Sequence, residues 1–73
     1  MDAVIAAAEV YLADPSTRSH QIGLYTLDLA AVVAFNDRAA RLVADPQVDR
    51  SAKRRAVTTA LLIALADQRP LYQ

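Results

Sequence analysis

The phrase Ala-Asp-Pro occurs twice, at Ala13-Asp14-Pro15 and Ala44-Asp45-Pro46, each time behind an aliphatic residue, Leu12 or Val43. A helix does not run through such a phrase. Proline lacks the amide that a helix interior needs, and it drives the residue before it out of the α region. Aspartate in that extended conformation is a good N-cap, and proline is well placed as the first helical residue after it. The phrase therefore stops one helix and can start the next. A near copy, Leu65-Ala66-Asp67, precedes Pro70. Taken as boundaries, these marks divide the chain into helix 1 over Asp2–Ala13, helix 2 from Ser16 or Ser19 to Val43, helix 3 over Pro46–Asp67, and a short apolar tail over 68–73. Two copies of a turn do not make a repeat, because solenoids need about three units to stabilise one another.

Composition points the same way. The chain has 73 residues, sixteen of them Ala, with one Gly (Gly23), three Pro and no Cys. Alanine favours helix, and a lone glycine is little material for a turn-rich β fold. Without cysteine, neither disulfides nor thiolate metal sites can add stability. A domain this small buries only about 60% of its unfolded surface, so association with another chain is a common remedy. The expectation is all-α: a single helical domain over residues 1–73, with one short and two long helices in a three-helix bundle that completes its core by oligomerisation.

Helices 2 and 3 carry the case for association. Read at about 100° per residue, the apolar side chains between Ile22 and Phe35 point all around the axis. Helix 3 repeats this after Ala56, with Val57, Leu61 and Leu65 to one side and Leu62 and Ile63 elsewhere. A helix that is apolar on every side is buried on every side, and a short, Ala-rich helix 1 cannot cover two others. The side of helix 3 holding Arg50, Lys53 and Arg54 continues as Val57, Ala60, Leu61 and Ala64. Val48, Ala52, Thr59, Leu62 and Ala66 form the opposite stripe, which is expected to face the chain's own core. The first two turns of helix 3 are expected to project beyond the packed region. The oligomer interface is accordingly placed at Leu24, Tyr25, Asp28, Val32, Phe35, Val57, Leu61 and Leu65.

Charge is segregated. Six of the eight basic residues lie between Asp37 and Arg55, against three acids there, while the remainder carries two bases and five acids. A formal net charge of zero hides this polarity. Arg38 and Arg41 near the end of helix 2 complement its dipole, an ordinary structural use. Arg50, Lys53, Arg54 and Arg55 open helix 3, where positive charge gains nothing from the dipole. These six residues are the candidate partner- or phosphate-binding set. The bland alternative is a solvated end with Asp37–Arg41 and Asp49–Lys53 pairs at i,i+4 spacing. A helix-turn-helix reading would place Gln47, Arg50, Ser51 and Arg54 against DNA. Against it stand the absent turn glycine, the neutral overall charge and the lack of an aromatic residue among the bases.

Other residues are less informative. Asp28 has no cation three or four residues away, so it is either paired with another helix or chain, or placed in a solvent window with Gln21. His20 is a single imidazole and makes no metal site. No nucleophile–base arrangement or Gly-rich phosphate loop is present, so neither enzymatic activity nor a cofactor is expected. Tyr11, Tyr25 and Tyr72 read as core or interface anchors, and Pro70-Leu71-Tyr72 as a docking tail. Met1-Asp2 does not open like a signal peptide, and both apolar runs are too short to span a bilayer. A cytoplasmic location is the default, and the Ala- and Arg-rich usage has a bacterial flavour. The functional expectation is a self-associating protein–protein interaction or assembly module, with a homo-oligomer or a helical protein as partner. The alternatives are a nucleic-acid-binding regulator using the basic end, and a membrane-associated or filament-forming helical hairpin.

Overall fold

Asp14-Pro15 and Asp45-Pro46 fold alike, and neither starts a helix. Asp14 Oδ1 accepts from the Ser16 amide at 3.1 Å and the Ser16 hydroxyl at 2.6 Å, while its carbonyl accepts from the Thr17 amide at 3.0 Å. Asp45 Oδ1 accepts from the Gln47 amide at 2.8 Å, and its carbonyl from the Val48 amide at 3.2 Å. Each aspartate thus spends its carboxylate on an Asx turn two residues long. A separate residue must cap the next helix. Before the last helix this is Asp49, whose Oδ1 accepts from the Ala52 amide at 2.8 Å. That helix consequently opens at Arg50 rather than Pro46. The two hydrogen bonds from Ser16 also hold the Asp14 carboxyl below its ordinary range.

The structure, a computed structural model, describes residues 2–68. Its elements run α1 (Asp2–Ala13), β1 (Ser19–Ile22), β2 (Tyr25–Asp28), α2 (Leu29–Ala34), α3 (Asp37–Ala44) and α4 (Arg50–Gln68). The all-α, three-helix expectation is therefore corrected to four helices with a small antiparallel sheet. The expected docking of Pro70-Leu71-Tyr72 lies outside the described residues.

The expected long helix 2 divides because its sequence changes period. Over Ser19–Asp28 the residues alternate: His20, Ile22, Tyr25 and Leu27 occupy the inner face, and Ser19, Gln21, Thr26 and Asp28 the outer one. A two-residue alternation is a strand signal. Ile22 pairs with Tyr25, leaving Gly23-Leu24 as a two-residue turn, with Gly23 at φ +62°. That backbone belongs to glycine, and glycine in the first central position suits a tight hairpin turn. A helical reading scattered these apolar residues around an axis that does not exist there.

Asp28 ends the strand and begins α2. Its backbone is extended, and its Oδ1 accepts from the Ala31 amide at 2.9 Å. The preceding two amides, of Leu29 and Ala30, donate to the carbonyls of Arg18 at 2.9 Å and Thr17 at 3.0 Å. All three opening amides of α2 are thereby satisfied, and the short helix is fastened to the base of the hairpin. Asp28 is exposed and is an N-cap. Seven residues later Phe35 closes α2, and Asn36 caps α3 through Oδ1 to the Ala39 amide at 2.9 Å.

The other three helices pack against α4, while β1 packs on α1 and β2 on α2. Val4, Ala7, Ala8 and Tyr11 line one side of α1, Ile22 and Leu27 come from the hairpin, Leu29 and Val33 from α2, and Ala39 from α3. With Val57, Ala60 and Leu61 of α4 they form one buried cluster. The α1 spacing of three, one and three residues is that of a single helical face. Alanine at positions 7, 8, 39 and 60 lets the backbones approach closely. Burial pushes the Tyr11 hydroxyl's pKa up.

The orientation of α4 is the reverse of the expected one. The stripe Val57, Ala60, Leu61 faces the chain's own core, with Val57 and Leu61 fully buried. Thr59, Leu62 and Ala66 of the stripe assigned inward are exposed. The opening turns of α4 do not project either, because Glu9 holds them against α1. Among the described residues, no helix is long and apolar enough to cross a membrane.

Candidate functional site

The six basic residues separate by what they touch. Glu9, on α1, takes Arg50 Nη2 on Oε1 at 2.8 Å and Arg54 Nη1 on Oε2 at 3.0 Å. Two arginines one helical turn apart thus share one carboxylate, each oxygen serving one guanidinium. Those hydrogen bonds from Arg50 and Arg54 hold the Glu9 carboxyl below its ordinary range. These are the ion pairs among the described residues, so the i,i+4 pairs Asp37–Arg41 and Asp49–Lys53 are not formed. Asp49 instead caps α4.

Local rationale therefore changes hands. Arg50 and Arg54 have a structural use, and Arg41 keeps one in the last turn of α3. Arg38, expected near a helix C-terminus, lies in the first turn of α3, where the dipole disfavours a cation. Arg55 is exposed, and its nearest hydrogen-bonding partner is the Ser51 hydroxyl at 3.4 Å. Arg38 and Arg55 line one groove of about 570 Å³ between α3 and α4. Ala39, Leu42, Ala52 and Ala56 line it together with Asn36, Thr59 and Ile63, and no acidic residue does so among the described residues. Lys53 is not part of it and lines a smaller groove with Leu12, Pro15, Val43 and Arg50.

The expected interface residues also separate. Val57 and Leu61 are core and cannot face a partner, and Leu65 packs partly buried against them. Tyr25 lies half-buried on the inner face of the hairpin, and Val32 is half-buried on α2. Leu24, at the hairpin tip, is 94% exposed, and Phe35 is 88% exposed. Phe35, Val32 and Asp28 do share a surface: with Ala31, Ile63 and Asp67 they line a second groove of about 350 Å³ between α2 and α4. Ile63 is itself 52% exposed.

The two grooves adjoin. Asn36 and Ile63 belong to both, the α3–α4 groove carrying Arg38 and Arg55 and the α2–α4 groove carrying Asp28 and Asp67. One side of this continuous face is cationic and the other anionic, and Phe35 lies on the anionic side. Glu9, Asn36, Ile63 and Asp67 have functional or organising positions that sequence reasoning did not assign. Only Glu9 carried a visible signal, as the single acid within the alanine-rich interior of α1. His20 sits on β1 opposite Leu27, and no group of three or more metal-ligating side chains occurs among the described residues.

Comparisons with protein-family models, curated proteins and solved structures gave no match. The functional reading stands on the geometry alone.

Proposed function

We propose that this chain is a protein–protein interaction module that self-associates through the face shared by α2, α3 and α4. The observation that carries it is Phe35, 88% exposed at the end of α2 beside Ile63, which is 52% exposed on α4. Two large apolar side chains on one grooved surface cost solvation and gain nothing within the chain. The original ground, all-round apolarity of a long helix 2, does not apply, since half of that segment is a hairpin. What supports association now is this specific face. Pairing of Arg50 and Arg54 with Glu9 removes two of the bases on which a nucleic-acid interface would draw.

Thermal unfolding over a wide range of protein concentration tests the proposal. An associating native state melts at higher temperature as concentration rises. Phe35→Ser should remove that dependence while leaving the low-concentration melt nearly unchanged, because the ring contributes little burial within one chain. A wild-type melting temperature independent of concentration contradicts the reading.

A further inference from the structure

We infer that the partner is a second copy of this chain related by a two-fold axis, with Phe35 of each copy seated in the α3–α4 groove of the other. Asp67 of each copy then faces Arg55 of the other. The inference rests on the self-association reading and adds its arrangement.

A two-fold interface must be self-complementary, because whatever one copy presents it must also receive. This face meets that requirement in shape. Phe35 projects on one side of the line marked by Asn36 and Ile63, and the groove of about 570 Å³ opens on the other. An axis lying in the interface and running along that line exchanges the two sides. It places each projecting ring over the partner's groove, whose lining includes the small side chains Ala39, Ala52 and Ala56. Arg38 and Arg55 on the groove walls offer guanidinium planes to an aromatic ring, a favourable cation–π geometry.

The same operation settles the charges. Exchanging the two ends brings the anionic end, Asp28 and Asp67, onto the partner's cationic end, Arg38 and Arg55. No other rotation of one copy upon the other satisfies both ends at once: aligning the ends in parallel would oppose like charges. A formal net charge of zero means that the two copies carry no overall repulsion to overcome. The arrangement also gives Arg38 and Arg55 the role that local structure does not supply.

Charge exchange tests it. Arg55 and Asp67 are exposed, so reversing either leaves the core intact, which circular dichroism checks. Arg55→Asp alone, or Asp67→Arg alone, opposes like charges twice in a symmetric dimer and should weaken self-association about tenfold or more. Mixing the two single variants should restore association as a heterodimer, since each pair across the interface is then opposite in sign. Combining both changes in one chain should likewise restore the homodimer. A wild-type dimer indifferent to both reversals, or one weakened with no rescue on mixing, overturns this arrangement and leaves self-association standing. A wild-type chain that stays monomeric overturns both, and binding of an acidic peptide or nucleic acid by that monomer would reassign Arg38 and Arg55.

Discussion

Glu9 Oε2 lies 3.0 Å from Arg54 Nη1 across forty-five residues of sequence, and Oε1 of the same carboxylate holds Arg50. This contact joins the start of α4 to α1, and it is consistent with the way α4 faces. With the Arg50–Arg54 side turned to α1, Val57 and Leu61 turn inward and Ile63 turns out.

The Glu9 pairing should appear in acid. Its carboxyl titrates below the ordinary value in the native state, so the unfolded chain binds the proton first as pH drops. The contribution is complete above about pH 4.3, the unfolded value for Glu, and is lost as pH falls through the lower native value. Urea titrations should show that Glu9→Gln is less stable than wild type at neutral pH, with the gap closing as the pH falls through the lowered native value. The neutral-pH loss is small, because all three side chains are substantially exposed. Asp14, also lowered, retains a residual acid sensitivity in the variant.

Gly23 should resist substitution for a backbone reason alone. A Cβ placed there meets nothing within 4 Å, yet φ is +62°. Gly23→Ala is expected to cost about 1–2 kcal/mol from the left-handed conformation, and Gly23→Asn less. Chemical denaturation distinguishes the two.

Asp28 should behave as a cap. Asp28→Ala leaves the Ala31 amide without its acceptor and should destabilise by about 1 kcal/mol. Asp28→Asn keeps an oxygen in place and should be nearly neutral in the same assay. An equal loss in both variants would show that charge, not capping, is what matters.

The turns were more legible than what lies between them. Asp14-Pro15 marks the end of α1 because proline chemistry is local. The same locality misled at the next step, since Asx turns and N-caps use the same residue type, and only the following residues decide between them. The hairpin was written in Ser19–Asp28 as an alternation around Gly23, but its neighbours are leucines and alanines that suit a helix equally well. The direction of α4 was not legible at all: both of its stripes are apolar, and the contacts that distinguish them, such as Glu9 with Arg50 forty-one residues away, are remote in sequence. Of the expected interface, Phe35 and Leu24 are on the surface because they terminate elements, whereas Val57 and Leu61 are taken by the core.

Leu61 and Leu24 give opposite expectations for the same residue type. Leu61 is fully buried, and Leu61→Ala should cost about 2–5 kcal/mol, a large share of the stability of a domain this size. Leu24, 94% exposed at the hairpin tip, should tolerate Leu24→Ser with a change within about 0.5 kcal/mol. Equilibrium unfolding of the two variants reads the difference directly.

Sedimentation equilibrium from micromolar to millimolar protein tests the central claim most directly. The wild-type mass should rise from 7.9 kDa towards twice that value, and Phe35→Ser should stay at 7.9 kDa throughout. A wild-type chain that remains a single 7.9 kDa species over the whole range would contradict the account.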